Sequence, residues 1–409
     1  MNRFFQHTLR LFHDIWQVFV NEVLRIFHDG GVVLIFIVAT LLYPLIFGAV
    51  YHNEMVRDLP IAVVDQSQST ESSRFRHKLD ATPELNVAYD CNTMQEAEQL
   101  MRQRLVKGIV YFPQDYATRL AQHQKARVGL FCDISSFLNY RSVYTGASNV
   151  LIDEMHDTQI TLYGLTGITG QQADELVTPI PYDDIKLYNS AGGFTSFLVP
   201  ALLVLVIHQT LVLGIGIING TANEHATRMR GIPYRLRSRR RARVTAGRAL
   251  AYLGIYLPLS AVVLLLLPRA FGLPHIGQLG TLTLFVIPFL LASIFFAMTV
   301  SCFVRERDSG ILCTIFFSVI LLFLSGIAWP QCQMPAVWCW FGYLFPSTPG
   351  IQCFVRINSM GARLSDIRFD YLMLWGQAIF YFFTSCIGLR ILSIRDHADT
   401  SHSLPADSQ

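Results

Sequence analysis

Six stretches without a single Asp, Glu, Lys or Arg set the limits on this chain, at residues 30–53, 187–223, 249–268, 270–304, 309–355 and 371–389. An α-helix rises about 1.5 Å per residue, so roughly 20 apolar residues cross a hydrocarbon layer ~30 Å thick. Each stretch is at or above about that length. A composition of 52% hydrophobic and 15% charged residues is also too apolar for a set of soluble domains. The expected fold class is an α-helical polytopic membrane protein. Its six transmembrane helices are expected at residues 31–51, 193–218, 249–267, 281–304, 311–329 and 371–389.

Arg and Lys near span ends orient such a chain, because short basic loops stay in the cytoplasm. With the N-terminus inside, the cytoplasmic pieces hold 16 of the 32 basic residues, nine of them from Arg228 to Arg248. The short outer loops hold four, Arg269, Arg356, Arg363 and Arg368. Both termini are therefore expected in the cytoplasm, with residues 390–409 as a cytoplasmic tail. The first apolar stretch starts too late and runs too long for a cleaved signal peptide, so it reads as an anchor.

Residues 1–30 read as an amphipathic helix along the cytoplasmic membrane surface. Phe5, Leu9, Phe12, Trp16, Phe19, Val23 and Phe27 recur every three or four residues, and Arg3, His7, Arg10, Asp14, Gln17, Asn21 and Arg25 take the opposite face. Packing of the same apolar face on a soluble partner is the alternative.

Residues 52–190 have a soluble composition and read as an inserted extracytoplasmic α/β domain. "LPIAVVD", "LNVAYD", "KGIVYFP" and "ARVGLFCD" read as strands. Between the first two lies a helix opened by Ser69 or Thr70, and then one capped by Thr93 in "TMQEAEQLMRQRLV". Alternating strands and helices predict a largely parallel sheet, followed by a long helix from about Tyr140 to Leu165. Asp65 and Asp133 stand at strand ends, where such folds place ligands, although aspartate at a strand end is also the common turn former.

The apolar run from Ile311 to Val355 is too long for one span and too short, with its prolines, for two full ones, which leaves residues 330–369 as an outer hairpin and loop. Pro330, Pro335, Pro346 and Pro349 interrupt the apolar run, and Trp329, Trp338 and Trp340 cluster as they do at a membrane boundary. A re-entrant outer hairpin fits both facts, since broken helices sit at membrane depth only when buried in protein or lining a cavity.

Little here supports catalysis. A phosphate-binding loop needs Lys followed by Ser or Thr, whereas Lys78, Lys107, Lys125 and Lys186 precede Leu, Gly, Ala and Leu. No H-E-x-x-H, G-x-S-x-G or C-x-x-C spacing occurs, so no catalytic residue, metal ligand set or cofactor site is expected in this chain. Within the spans, His208 beside Gln209 is the ionisable position near mid-depth. It reads either as a neutral imidazole bonded to a neighbouring helix or as part of a polar transport pathway. The stretch "RLRSRRRARVTAGR", residues 235–248, places seven arginines in a connection between spans, where anionic headgroups are the natural partners. Nucleic acid is disfavoured because only Tyr234 offers aromatic company.

Three segments together resemble the permease subunit of type-2 ATP-binding-cassette exporters, in the branch with a large outer domain between spans one and two. They are "LPIAVVDQSQSTESSRFRHKLD", "NEHATR" and "LFLSGIAWPQCQMPAVWCWFGYLFPSTPGIQCFVRINSMGA". The resemblance implies a non-catalytic subunit for efflux of a hydrophobic or amphipathic substrate, drug-like or lipid-like, across a bacterial cytoplasmic (inner) membrane. It implies a separate ATPase partner that binds ATP and Mg, and a second permease chain, identical or paralogous. Residues 219–248 would form the cytoplasmic coupling loop, with Glu224, Thr227, Arg228 and Arg230 at the ATPase and Arg239 to Arg243 at lipid. Glu224 and Thr227 match the family's acidic-x-Gly-Thr pattern, whereas Ala226 replaces its Gly and Met229 a further acid. An acidic docking groove on the ATPase is the corresponding expectation. A membrane-anchored sensor with an outer ligand-binding domain is the alternative function.

Overall fold

The computed structural model describes residues 2–51, 54–181, 185–189, 192–224, 241–304 and 306–402, with side chains from 11 to 391 except 313. It divides into two units, Met55–Ile185 and the combination of Met1–Glu54 with Lys186–Gln409. The chain opens with helices α1 (Asn2–His28) and α2 (Gly30–Val50). Asp29 separates them. Its carboxylate accepts from Gly31 N at 3.0 Å and Val32 N at 3.3 Å, satisfying two of the amides that a helix start leaves free.

The first unit runs β1 (Leu59–Asp65), α3 (Thr70–Asp80), β2 (Leu85–Cys91), α4 (Met94–Arg102), β3 (Gly108–Phe112), α5 (Tyr116–Ala121), β4 (Gly129–Cys132), α6 (Phe137–Leu165) and α7 (Gln171–Val177). The sheet order is β2-β1-β3-β4, with β1 parallel to β2 and β3, and β4 antiparallel at one edge. Successive side chains of a strand point to opposite faces. Ile61 and Val63 accordingly pack with Phe75, Leu79 and Val143, while Ala62 and Val64 pack with Ala97 and Ile109. Both faces of β1 are covered, which is why it reads as a continuous apolar run. Ser69 and Thr93 cap α3 and α4 by accepting from Ser72 N at 3.1 Å and Glu96 N at 3.3 Å. The helix expected through Val106 stops at Arg102, because Arg104 takes a left-handed φ of 62° that turns the chain into β3.

The second unit continues with α8 (Phe194–Glu224), α9 (Arg241–Ala270), α10 (Leu279–Val300), α11 (Arg307–Leu324), α12 (Ala336–Gly342), α13 (Ser347–Met360) and α14 (Arg368–His402). Among the described residues, six helices are long and apolar enough to cross a membrane: α2, α8, α9, α10, α11 and the Arg368–Ile391 part of α14. The protein is a multi-pass membrane protein. Helices α8 and α10 form its centre, with 72% and 61% of their apolar windows buried against 24–33% for the other four. A helix apolar on every side is one that is surrounded, by protein or by lipid.

Several boundaries differ from expectation. Helix α8 is helical past the expected 218, through Glu224, and α9 is already helical at Arg241, ahead of the expected 249, while residues 225–240 of the expected 219–248 coupling loop lie outside the described residues. Helix α11 starts at Arg307 and ends at Leu324, short of the expected Trp329. The cause of the early end is Gly326, whose φ of 87° is a left-handed conformation that suits glycine.

Candidate functional site

Helices α8, α10 and α11 and the segment at α12 enclose a cavity of about 280 Å³. Its walls are His208, Gln209 and Val212 of α8, Phe296 and Val300 of α10, Thr314, Phe317 and Leu321 of α11, then Phe341, Leu344 and Phe345. His208 is fully buried and its Nδ1 lies 3.1 Å from Ser293 Oγ on α10. Its Nε2 is buried with no hydrogen-bond partner among the described residues. Gln209 Nε2 donates to the Ser318 carbonyl of α11 at 3.3 Å. Phe345 anchors the aromatic wall, with ring centroids 5.8 Å from Phe296, 5.4 Å from Phe341 and 6.2 Å from Phe317. The two expected pathway residues thus share one cavity. Phe296 and Phe345 were not legible as its members, because spacing within one helix does not tell which helix faces it.

The proline-rich segment supplies one wall. Pro330 precedes a short 3-10 turn (Gln331–Gln333), and Pro335 and Pro346 precede α12 and α13. Proline lacks an amide proton, so it fits where a helix leaves that proton unused. Trp338 is 56% exposed, whereas Thr348, Cys353, Phe354 and Asn358 on α13 are fully buried. The chain is irregular around Ser325 to Phe345, and its carbonyls need partners in apolar surroundings. Gln352 Nε2 donates to Ser325 O at 2.8 Å, Gln377 Nε2 to Tyr343 O at 2.5 Å, and Tyr381 OH to Leu344 O at 2.6 Å.

A second constellation lies where α1 meets α9. Asp14, Val18, Glu22 and Ile26, four residues apart on α1, are all buried. Arg243 Nη1 donates to Asp14 Oδ2 at 2.7 Å, Arg248 Nε stands 3.3 Å from Glu22 Oε2, and Tyr252 OH donates to Glu22 Oε1 at 2.5 Å. The expectation of Arg243 at lipid is corrected: its guanidinium is committed to a carboxylate of α1. Phe12, Trp16, Leu24 and Phe27 of α1 are exposed instead. The polar face is therefore partly a buried protein contact, and the apolar face is the free one.

Glu224 is the last described residue of α8, and its Oε1 accepts from Arg307 N at 2.7 Å, supplying an acceptor to the first turn of α11. Nearby, Asn223 Nδ2 donates to Val304 O at 2.7 Å and Arg25 Nη2 to Ile218 O at 2.7 Å. Thr227, Arg228 and Arg230 lie outside the described residues.

In the α/β unit, the strand-end acids are turn formers. Asp65 accepts from Ser67 N at 2.9 Å, Gln68 N at 3.0 Å and Ser72 Oγ at 2.6 Å. Asp133 accepts from Ser135 N at 3.0 Å, and its hydrogen bonding with Ser135 holds the carboxyl below the usual range.

Membrane-length helices packed around a cavity with an aromatic wall define a multi-pass membrane protein. A family model for the ABC-2 family transporter protein matches residues 31–387, and the chain belongs to that family. It is a permease component of an ABC transporter, and membership implies pairing with an ABC ATPase subunit. No match was found among curated proteins or solved structures.

Proposed function

We propose that this chain is the permease of an ATP-driven exporter that moves a hydrophobic or amphipathic substrate out of the cytoplasm or inner membrane. ATP and Mg are bound by the separate ATPase. The observation that carries this reading is the family match over residues 31–387, which takes in every membrane-length helix at least in large part. The apolar cavity at His208 supports an apolar cargo, because each buried Å² of apolar surface contributes about 25 cal/mol.

In this reading both termini are cytoplasmic, the α/β unit is extracytoplasmic, and the segment from Pro330 to Pro346 is a re-entrant outer hairpin. The α1 helix lies along the inner leaflet on its exposed Trp16 and Phe27. Glu224, with Thr227, Arg228 and Arg230, faces the ATPase, and a second permease chain completes the pathway. Purification of the tagged chain from its native membrane in mild detergent tests this. An ABC ATPase is expected in the eluate, and Arg228→Glu with Arg230→Glu should reduce its recovery. An eluate free of any ATPase would favour the sensor reading instead.

A further inference from the structure

We propose that helix α6 of the α/β unit pairs with α6 of a second copy of this chain, antiparallel about a two-fold axis, through the exposed apolar seam from Tyr144 to Leu165. Tyr144, Leu151, Met155, Leu162 and Leu165 are 39–71% exposed. They recur at alternating steps of three and four residues, with Ser148 and Thr158 in the remaining places of the repeat. That 3.5-residue repeat is the one by which a helix seats its side chains between those of another helix. It is sustained over roughly three heptads, the length at which such a repeat argues for a coiled coil. The seam is not the face α6 uses inside its own unit, because Val143, Ala147 and Val150 on the other side are already buried with the sheet.

The chemistry of the helix narrows the occupant. A helix lying on lipid sets Lys and Arg along its polar side, whereas α6 carries Asp153, Glu154 and Asp157 against the single arginine Arg141. Anionic headgroups would be repelled. The order of residues then selects a second copy. A two-fold axis beside Asp153 sets Tyr144 opposite Leu162, Leu151 opposite Met155 and Ser148 opposite Thr158, while Leu165 meets the aliphatic stem of Arg141. Apolar side chains thus meet apolar ones and the hydroxyls meet each other. The Thr158 hydroxyl donates to Glu154 O at 2.7 Å, which leaves its oxygen to accept from Ser148 of the other copy. Ile152, 56% exposed beside the seam, lies opposite itself. Parallel pairing would bring like ends of two helix dipoles together, and antiparallel pairing separates them.

The presence of a second copy rests on the permease reading, in which two permease chains work together; the antiparallel seam goes beyond it. Two differently tagged full-length chains, one with Tyr144→Cys and the other with Leu162→Cys, are made in the same cells and oxidised in their membranes. A disulfide joining the two tags is expected, about tenfold above either variant alone, because a bridge needs Cα atoms within roughly 7 Å. Leu151→Glu in both chains buries a charge in the seam and should lower that adduct about tenfold. Recovery of one tag through the other in mild detergent, without oxidation, reads the pairing of permease chains separately. Tags that co-purify without the mixed disulfide, the result for a seam lying on lipid, would overturn the proposal and leave the pairing standing. Tags that do not co-purify and form no adduct would overturn both. A disulfide in either variant alone and not in the mixture, an adduct whose mass requires a different protein, or a mixed disulfide unaffected by Leu151→Glu would each overturn the antiparallel seam.

Discussion

Asp14, Glu22, Arg243 and Arg248 show what a single side chain decides in this molecule. Each carboxylate is 4% exposed or less and has an arginine opposite it. Removing one partner of a buried pair leaves the other uncompensated, at about 3–5 kcal/mol, whereas replacing both with apolar groups is often neutral. Arg248→Met should therefore lower the unfolding temperature in detergent markedly, and Glu22→Met in the same chain should restore most of it. Equal losses in the single and double variants would contradict the pairing. The partners lie 229 residues apart for Asp14 and Arg243. Helical periodicity gathers residues onto a face without saying what covers it, which is why Asp14 reads as solvent-facing in the sequence. Lys78 in the α/β unit is a surface counterpart, with Asp153 and Asp157 each at 2.7 Å and Glu154 at 3.0 Å. Hydrogen bonds to Asp153 and Asp157 raise the lysine above its ordinary 10.5, and Lys78 holds Asp157 below its ordinary 3.8. The carboxylate contribution is complete above pH 3.8 and fades as pH falls through the lowered value. The lysine contribution is complete below pH 10.5 and fades only as pH rises through the raised one. Lys78→Met should thus reduce stability by an amount that stays constant from about pH 5 to 9, read from unfolding temperatures across that range.

At the scale of elements, close approach of backbones decides which helices meet. A Cβ on Gly247 of α9 would lie 2.7 Å from Val18 Cβ and 2.9 Å from Ile15 O on α1. Gly247→Leu should pry α1 away and separate Asp14 and Glu22 from their arginines. Limited proteolysis would then cut within α1 sooner than in the unaltered chain, and an unchanged cleavage pattern would contradict the packing. Elements with local causes were legible. Ser69 and Thr93 cap helices through atoms three residues away, and Pro335 and Pro346 stand before helices because of their own rings. Span ends were less legible. Apolar runs end where lipid would end, whereas helix hydrogen bonds continue regardless, so α8 is still helical beyond Ile218 and α9 is already helical before Ala249. The cavity was half legible: His208 and Gln209 stand out as polar residues in an apolar run, while Phe296, Phe317 and Phe345 look like any core aromatic.

The whole molecule places two buried helices, α8 and α10, among four that show most of their surface outward. In lipid such outward apolar faces need no partner, and association rests on packing and a few interhelical bonds. Thr40 to Thr210 at 3.0 Å and Asn219 to Ser301 at 2.7 Å are bonds of that kind. The proposed orientation puts Cys332, which is exposed, on the outer side. A membrane-impermeant maleimide added to intact cells should label the chain, and Cys332→Ser should reduce the label; labelling that requires broken cells would reverse the orientation. The central claim, ATP-driven export through this permease, is tested most directly in inside-out vesicles from cells making the chain together with its ATPase. Vesicles supplied with ATP and Mg should accumulate a fluorescent amphipathic dye, and loss of the phosphate-binding lysine of the ATPase should abolish the uptake. Equal accumulation across a panel of such dyes in vesicles with and without the chain would contradict the account.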